Sequence, residues 1–187
     1  MRAHIFPAIK LSLCCMASFA IIYPLILLGI ARVGAPNQGR GKTIEKGGRV
    51  VGYALVGQSF TNDNYFNSRP SAVSYHADGS GGSNKGPSNP DYLKDVSAKI
   101  DSFMAHNPGV KKSDIPAELV TASGSGLDPD ISPKAADVQI GRIAKARGIG
   151  EDKLRALVES HTEQPFVGMP VIHVLQLNVA LDKLTEK

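Results

Sequence analysis

Tryptophan is absent from this chain of 187 residues, and aromatic side chains make up only 6% of it. A surface so poor in rings has no stacking platform for nucleic-acid bases. The net charge of +4 is modest and scattered, with Lys111-Lys112 the sole adjacent basic pair, so nothing resembles a basic groove and no nucleic-acid partner is expected. Cysteine is nearly missing too. Cys14 and Cys15 both lie in one apolar run, so the residues beyond it can form neither a disulfide nor a thiolate metal site. The five histidines (His4, His76, His106, His161, His173) show no ligand spacing, and no HExxH motif occurs. No metal site is expected.

What the chain does have is a stretch without charge, Leu11 to Ile30 (LSLCCMASFAIIYPLILLGI), between Lys10 and Arg32. As a helix rising about 1.5 Å per residue it spans roughly 30 Å, the thickness of a bilayer's hydrocarbon core. A cleaved secretory signal has a shorter apolar region and a small-x-small cleavage site, which the Leu28 to Ala31 neighbourhood does not offer. A lipoprotein signal would place a small residue before the modified cysteine, where Leu13 stands. The run reads as a retained transmembrane helix, residues 11–31, with Leu11, Phe19, Tyr23, Pro24 and Ile30 in the membrane. Pro24 removes an amide donor in mid-run and should kink the helix, which suits a span with protein neighbours. Basic residues near the span favour a cytoplasmic domain if counted literally (Arg32, Arg40, Lys42, Lys46 and Arg49 against Arg2 and Lys10). Long domains, however, translocate largely regardless of charge, so the count leaves both orientations open.

Residues 1–10 form a short N-terminus, and residues 32–48, rich in Gly, Asn and basic side chains, read as a linker. Residues 49–187 then make one soluble α+β domain with long, turn-rich loops. A strand is expected within Arg49 to Phe60. Helices are expected over Asp91 to Asn107, with Asn89-Pro90 at its start, and from Pro133 to Gly148, with Ser132 as cap. A third should cover Glu151 to Glu159. Val171 to Leu177 reads as a strand, and Asn178 as the cap of a short closing helix, Val179 to Leu184.

The chemical motifs fail one by one. Gly81 to Gly86 has half of a phosphate-binding loop's spacing, but Lys85-Gly86-Pro87 supplies no Lys-Ser/Thr pair. Ser123 and Ser125 lack the glycine two residues upstream that a hydrolase elbow needs. Asp128 and Asp130 lack the rest of a calcium loop, and Asp128 before Pro129 reads as a turn former. His173 reads as a packed or hydrogen-bonded residue, and Arg69 either as a clamp for an acidic partner or as one half of a surface ion pair. No catalytic group is recognised.

Six blocks occur in one order behind the span. They are GQSF (Gly57 to Phe60), YFNSRPSA (Tyr65 to Ala72), SGGSNKGPSNP (Ser80 to Pro90), VTASGSGLDPDISP (Val120 to Pro133), AADVQIGRIAKARG (Ala135 to Gly148) and VLQLNVALD (Val174 to Asp182). Together they closely resemble the C subunit of the bacterial Kdp potassium-transporting ATPases. His173, where a small polar residue is usual, and Met169 depart from the pattern. The resemblance implies a non-catalytic subunit of a high-affinity potassium pump in the bacterial inner membrane, single-pass, with its soluble domain periplasmic. Its implied partners are a channel-like potassium-binding A subunit, an ATP-hydrolysing P-type B subunit and a small F subunit. The family is also proposed to raise the pump's ATP affinity as a catalytic chaperone, with a helix glutamine touching nucleotide; Gln139 is the matching position. No intrinsic cofactor is implied, ATP belonging with the hydrolysing subunit. On this reading Gln58, Arg69, Asn84, Asn89, Ser123 and Ser125 are contact residues for a partner subunit. The competing readings are a cytoplasmic nucleotide-binding regulator and an anchored hydrolase using Ser123 or Ser125.

Overall fold

The computed structural model describes residues 2–185, and they divide into two compact units that meet between Lys42 and Thr43. The first unit is helical almost throughout. Helix α1 (Arg2–Met16) runs into a π-helical stretch (Ala17–Ile22) and then α2 (Tyr23–Gly34). The π stretch answers Pro24, which has no amide and whose ring would strike the carbonyl one turn back. Widening the preceding turn removes that clash: the Tyr23 N–H bonds five residues back, to Ser18 O, instead of four. The expected kink is thus a π bulge. None of the apolar side chains over His4–Gly34 is buried, and these 31 residues are long and apolar enough to cross a membrane. Such a surface is not stable in water.

The residues expected to be a linker are partly ordered. Residues Pro36–Gly39 form a 3-10 turn, and Thr43–Lys46 is strand β1, paired antiparallel with β2 (Arg49–Tyr53) through the tight turn at Gly47-Gly48. Two glycines at positive φ supply that turn, so the hairpin begins before residue 49. From Ala54 to Asn89 the chain forms no regular element. Asn89 then caps α3 (Pro90–His106), its side chain accepting from the Tyr92 N–H at 3.1 Å.

The remaining elements are β3 (Asp130–Ile131), α4 (Pro133–Asp137), α5 (Ile140–Arg147), α6 (Glu151–Ser160), β4 (Ile172–His173) and α7 (Val174–Thr185), with β3 and β4 antiparallel. Around them lies one core containing Ile131, Ala135, Ala136, Ile140, Ile143, Leu154, Ile172, Leu177 and Leu181, into which the loop residue Phe66 inserts completely. The architecture is α+β, with helices dominating two very small sheets.

Two expected elements differ. The helix from Pro133 is split at Val138-Gln139 because the Gln139 side chain donates to Ala135 O (2.9 Å), the carbonyl its own N–H would use. That N–H tightens to Ala136 O instead (3.0 Å). The strand expected over Val171 to Leu177 lasts two residues. Val174, Leu177, Asn178 and Leu181 are all buried, the spacing of one helical face, and burial of that face overrides the alternation that suggested a strand. Asn178 is therefore inside α7 and caps nothing.

Candidate functional site

The polar centre of the domain is built on Arg142. Its side chain is enclosed, and every guanidinium nitrogen is used: Nε donates to Asn107 Oδ1 (3.0 Å), Nη1 to the carbonyls of Asp63 (2.7 Å) and Tyr65 (3.0 Å), and Nη2 to Asn67 Oδ1 (2.5 Å) and Gln139 Oε1 (2.8 Å). Burial pulls its pKa below the usual arginine value, and Asp63, 3.8 Å away, partly restores it. The guanidinium remains charged and gathers the loop 63–67 onto α5. Asp63 and Arg142 also line an open cleft of about 770 Å³ with His106, Lys145 and Glu151, a mixture of charges that selects no ligand of one sign.

Gln139, expected to touch nucleotide, is 0% exposed. Its Oε1 accepts from the Asn67 N–H (2.8 Å) as well as from Arg142, and its Nε2 donates to Ala135 O and to Asn67 O (3.4 Å). Both ends of the amide are committed. This glutamine holds the loop 63–67 onto α5, and each end of its amide is bonded within the domain.

The Gly/Ser loops meet each other. The Gly81 N–H and Ser80 Oγ both donate to Ser125 O (2.8 and 3.0 Å), Ser123 N–H donates to Pro70 O (3.0 Å), and Leu127 N–H to Ser125 Oγ (3.1 Å). The Gly81, Ser123 and Leu127 amides are thus used internally. Gly57 closes the arrangement, its N–H on Leu127 O (2.7 Å); an added Cβ would lie 2.4 Å from Asp128 O. Arg69 pairs with Asp128 at 2.8 Å, and Asp128 Oδ1 accepts from Asp130 N–H (3.0 Å), the turn former expected before Pro129. Among the expected contact residues, Arg69, Ser123 and Ser125 are brought into this one cluster. Gln58 adjoins it, its carbonyl accepting from Ser68 Oγ (3.0 Å) while its amide donates to Val51 O (3.2 Å). Asn84 is exposed at positive φ, and Asn89 is spent on the α3 cap. Ser123 is buried.

Sequence reasoning missed Arg142, Asn178 and Asp182. Asn178 forms two bonds to one residue, Oδ1 accepting from Phe66 N–H and Nδ2 donating to Phe66 O, both 2.9 Å. Asp182 collects Lys46 (2.8 Å), Arg147 (2.7 Å) and the Tyr65 hydroxyl (3.1 Å), while Arg147 lies 4.6 Å from the Tyr65 ring centre. Burial raises the Asp182 pKa, but the hydrogen bonds from Lys46 and Arg147 outweigh it and hold the carboxyl below its usual value. His173 Nδ1 contacts Asp130 Oδ1, and its Nε2 is 3.5 Å from Glu163. Burial pushes Asp130 up against the opposing pull of His173. Among the described residues no group of three His, Cys, Asp or Glu side chains is placed to hold a metal ion.

These bonds use polar side chains to shape loops. Residues 5–183 match the family described as K+-transporting ATPase, c chain. The chain belongs to the KdpC family. It is 54% identical to the potassium-transporting ATPase KdpC subunit of Flavobacterium johnsoniae over 97% of this chain and 98% of that one. The KdpC subunits of Phocaeicola vulgatus (48%, covering 93% and 95%) and Geobacter metallireducens (48%, covering 95% and 96%) are similar over their lengths as well. A KdpC chain is an accessory chain of a potassium-transporting ATPase and not its catalytic one.

Proposed function

We propose that this protein is the assembly and stabilising subunit of an ATP-driven potassium uptake pump of the bacterial inner membrane. The observation that carries the reading is the family match across residues 5–183, span and loops together. The partners are a channel-like potassium-binding subunit, an ATP-hydrolysing subunit and a small fourth subunit of the same pump. The helix over His4–Gly34 packs among them in the bilayer, and the domain from Thr43 onward stands on the extracytoplasmic side. Arg69, Asp128, Ser123 and Ser125 support a rigid loop face that meets the potassium-binding subunit. ATP enters only through the hydrolysing subunit, and any gain in ATP affinity is transmitted through assembly; the enclosure of Gln139 supports this over direct contact.

Two measurements test the reading. A tagged chain taken from membranes in mild detergent should bring down three other subunits with potassium-dependent ATPase activity, and recovery of the chain alone would refute it. A periplasm-only reporter fused after Lys187 should be active. A silent reporter, with a cytoplasmic one active in its place, would favour direct nucleotide contact.

A further inference from the structure

The described surface carries one conspicuous apolar loop. Between α6 and β4, residues 164–170 (Gln-Pro-Phe-Val-Gly-Met-Pro) leave the domain and return, closed at the base by a pair of backbone bonds, Glu163 N–H to Val171 O (2.9 Å) and Val171 N–H to Glu163 O (3.1 Å). Phe166 is 104% exposed, Val167 82% and Met169 76%. The loop has no charge, and Gln164 is its only polar side chain. Pro165 and Pro170 stiffen its two limbs, so the apolar tip is presented with little ordering left to do.

Its place in the domain indicates what covers it. The β1–β2 hairpin lies along α7 in a fixed sense: Lys46, at the turn, pairs with Asp182 near the C-terminal end of the helix, whereas Gly52 packs against Leu175 in its first turn. Gly52 is paired with Ile44, and Tyr53 with Thr43, the first residue of the domain. Thr43 is thus at the same end of α7 as Val171, the base of the loop. Two more exposed apolar side chains, Tyr53 and Leu55, belong to that end. Tyrosine with aliphatic and phenylalanine side chains is what the headgroup boundary of a bilayer accepts. A protein interface would be expected to add polar groups for register, and this tip has none.

We propose that the loop 164–170 inserts Phe166, Val167 and Met169 into the lipid interface, giving the domain a second, shallow hold on the bilayer. The proposal rests on the span being in lipid, and the test separates the two. Since the chain has no tryptophan, Phe166→Trp, Met169→Trp and Phe19→Trp each create a single reporter. Each full-length variant is reconstituted into phosphatidylcholine vesicles, with or without shallow-brominated acyl chains. Phe19→Trp should be quenched by bromine and sheltered from acrylamide, which reports the span. The two loop reporters should show blue-shifted emission, loss of intensity in the brominated vesicles and reduced acrylamide quenching. Red-shifted, acrylamide-accessible loop reporters beside a quenched Phe19→Trp would overturn the loop insertion alone. Blue-shifted loop emission without bromine quenching would mean burial against protein and would overturn it equally. An unquenched Phe19→Trp would refute the anchor and the insertion with it.

Discussion

Replacing Asn178 by leucine tests how the loop residue Phe66 is held in the core. The side chains are similar in size, so the change removes two hydrogen bonds while leaving little cavity. Both the N–H and the carbonyl of Phe66 then lose their 2.9 Å partners at a site where Phe66 and Asn178 are enclosed and water does not reach. An unsatisfied buried donor or acceptor costs about 1–3 kcal/mol, so the pair costs roughly 2–6 kcal/mol. Burying an added apolar side chain returns about 1–2 kcal/mol, which set against the middle of that range, about 4 kcal/mol, leaves a net loss of about 2.5 kcal/mol. For a chain of this size each kcal/mol lowers the melting temperature by roughly 2–4 °C, giving a fall of about 5–10 °C. The assay is thermal unfolding of the full chain in mild detergent, followed by near-ultraviolet dichroism of its tyrosines. A shift smaller than about 2 °C would show that water or backbone rearrangement replaces the bonds, refuting the view that Asn178 pins Phe66.

Arg142→Met should cost at least about 3 kcal/mol, because Asn107, Asn67, Gln139 and two loop carbonyls lose a shared donor. Arg142→Lys should rescue little of it, since an ammonium cannot reproduce the planar fork; full recovery in a denaturant titration would contradict the network. Gly57→Ala should lower the denaturation midpoint by an amount equivalent to about 1–3 kcal/mol, as its Cβ would press on Asp128 O, while Gly109→Ala, facing open space, should be close to neutral. Asp182 has its folded pKa depressed, so its contribution is present above the unfolded value of about 3.9 and is lost as pH falls through the lower folded value. Asp182→Asn should therefore be less stable than the parent at neutral pH, with the gap narrowing below about pH 4; a gap independent of pH would remove the ionic explanation. Substituting Ser123 and Ser125 together with alanine should leave potassium-dependent ATP turnover of the assembled pump intact, which would remove a hydrolytic role; lost turnover with the four subunits still co-purifying would contradict that expectation.

The span, the cap at Asn89, the Ser132-Pro133 helix start and the helix pair about Gly148 follow from local chemistry and were legible in the sequence. The errors came where a polar side chain acts at a distance. Gln139 breaks a helix by taking a carbonyl of its own turn, and nothing in a hydrophobic period registers that. Asn178 looks like a cap because asparagine favours caps, yet its partner is Phe66, 112 residues away. Arg142 was hidden inside an amphipathic stripe. The signal available was its spacing of three from Gln139, which sets two polar groups on the same helical face beside Ile140 and Ile143. Of the expected contact residues, Arg69, Ser123 and Ser125 converge through pairings between loops, while Asn89 caps α3.

The bonds that Asn178 and Asp182 make have a bearing on biosynthesis. Helix α7 is synthesised after every other described element, and it carries the groups that seat Phe66 and latch Lys46 of the first strand. A nascent chain that has not yet reached Val174 has its apolar N-terminal helix finished but an unseated, solvent-swollen domain. Closure must await synthesis of α7, and a stop codon placed before it would leave an unfolded product for proteolysis.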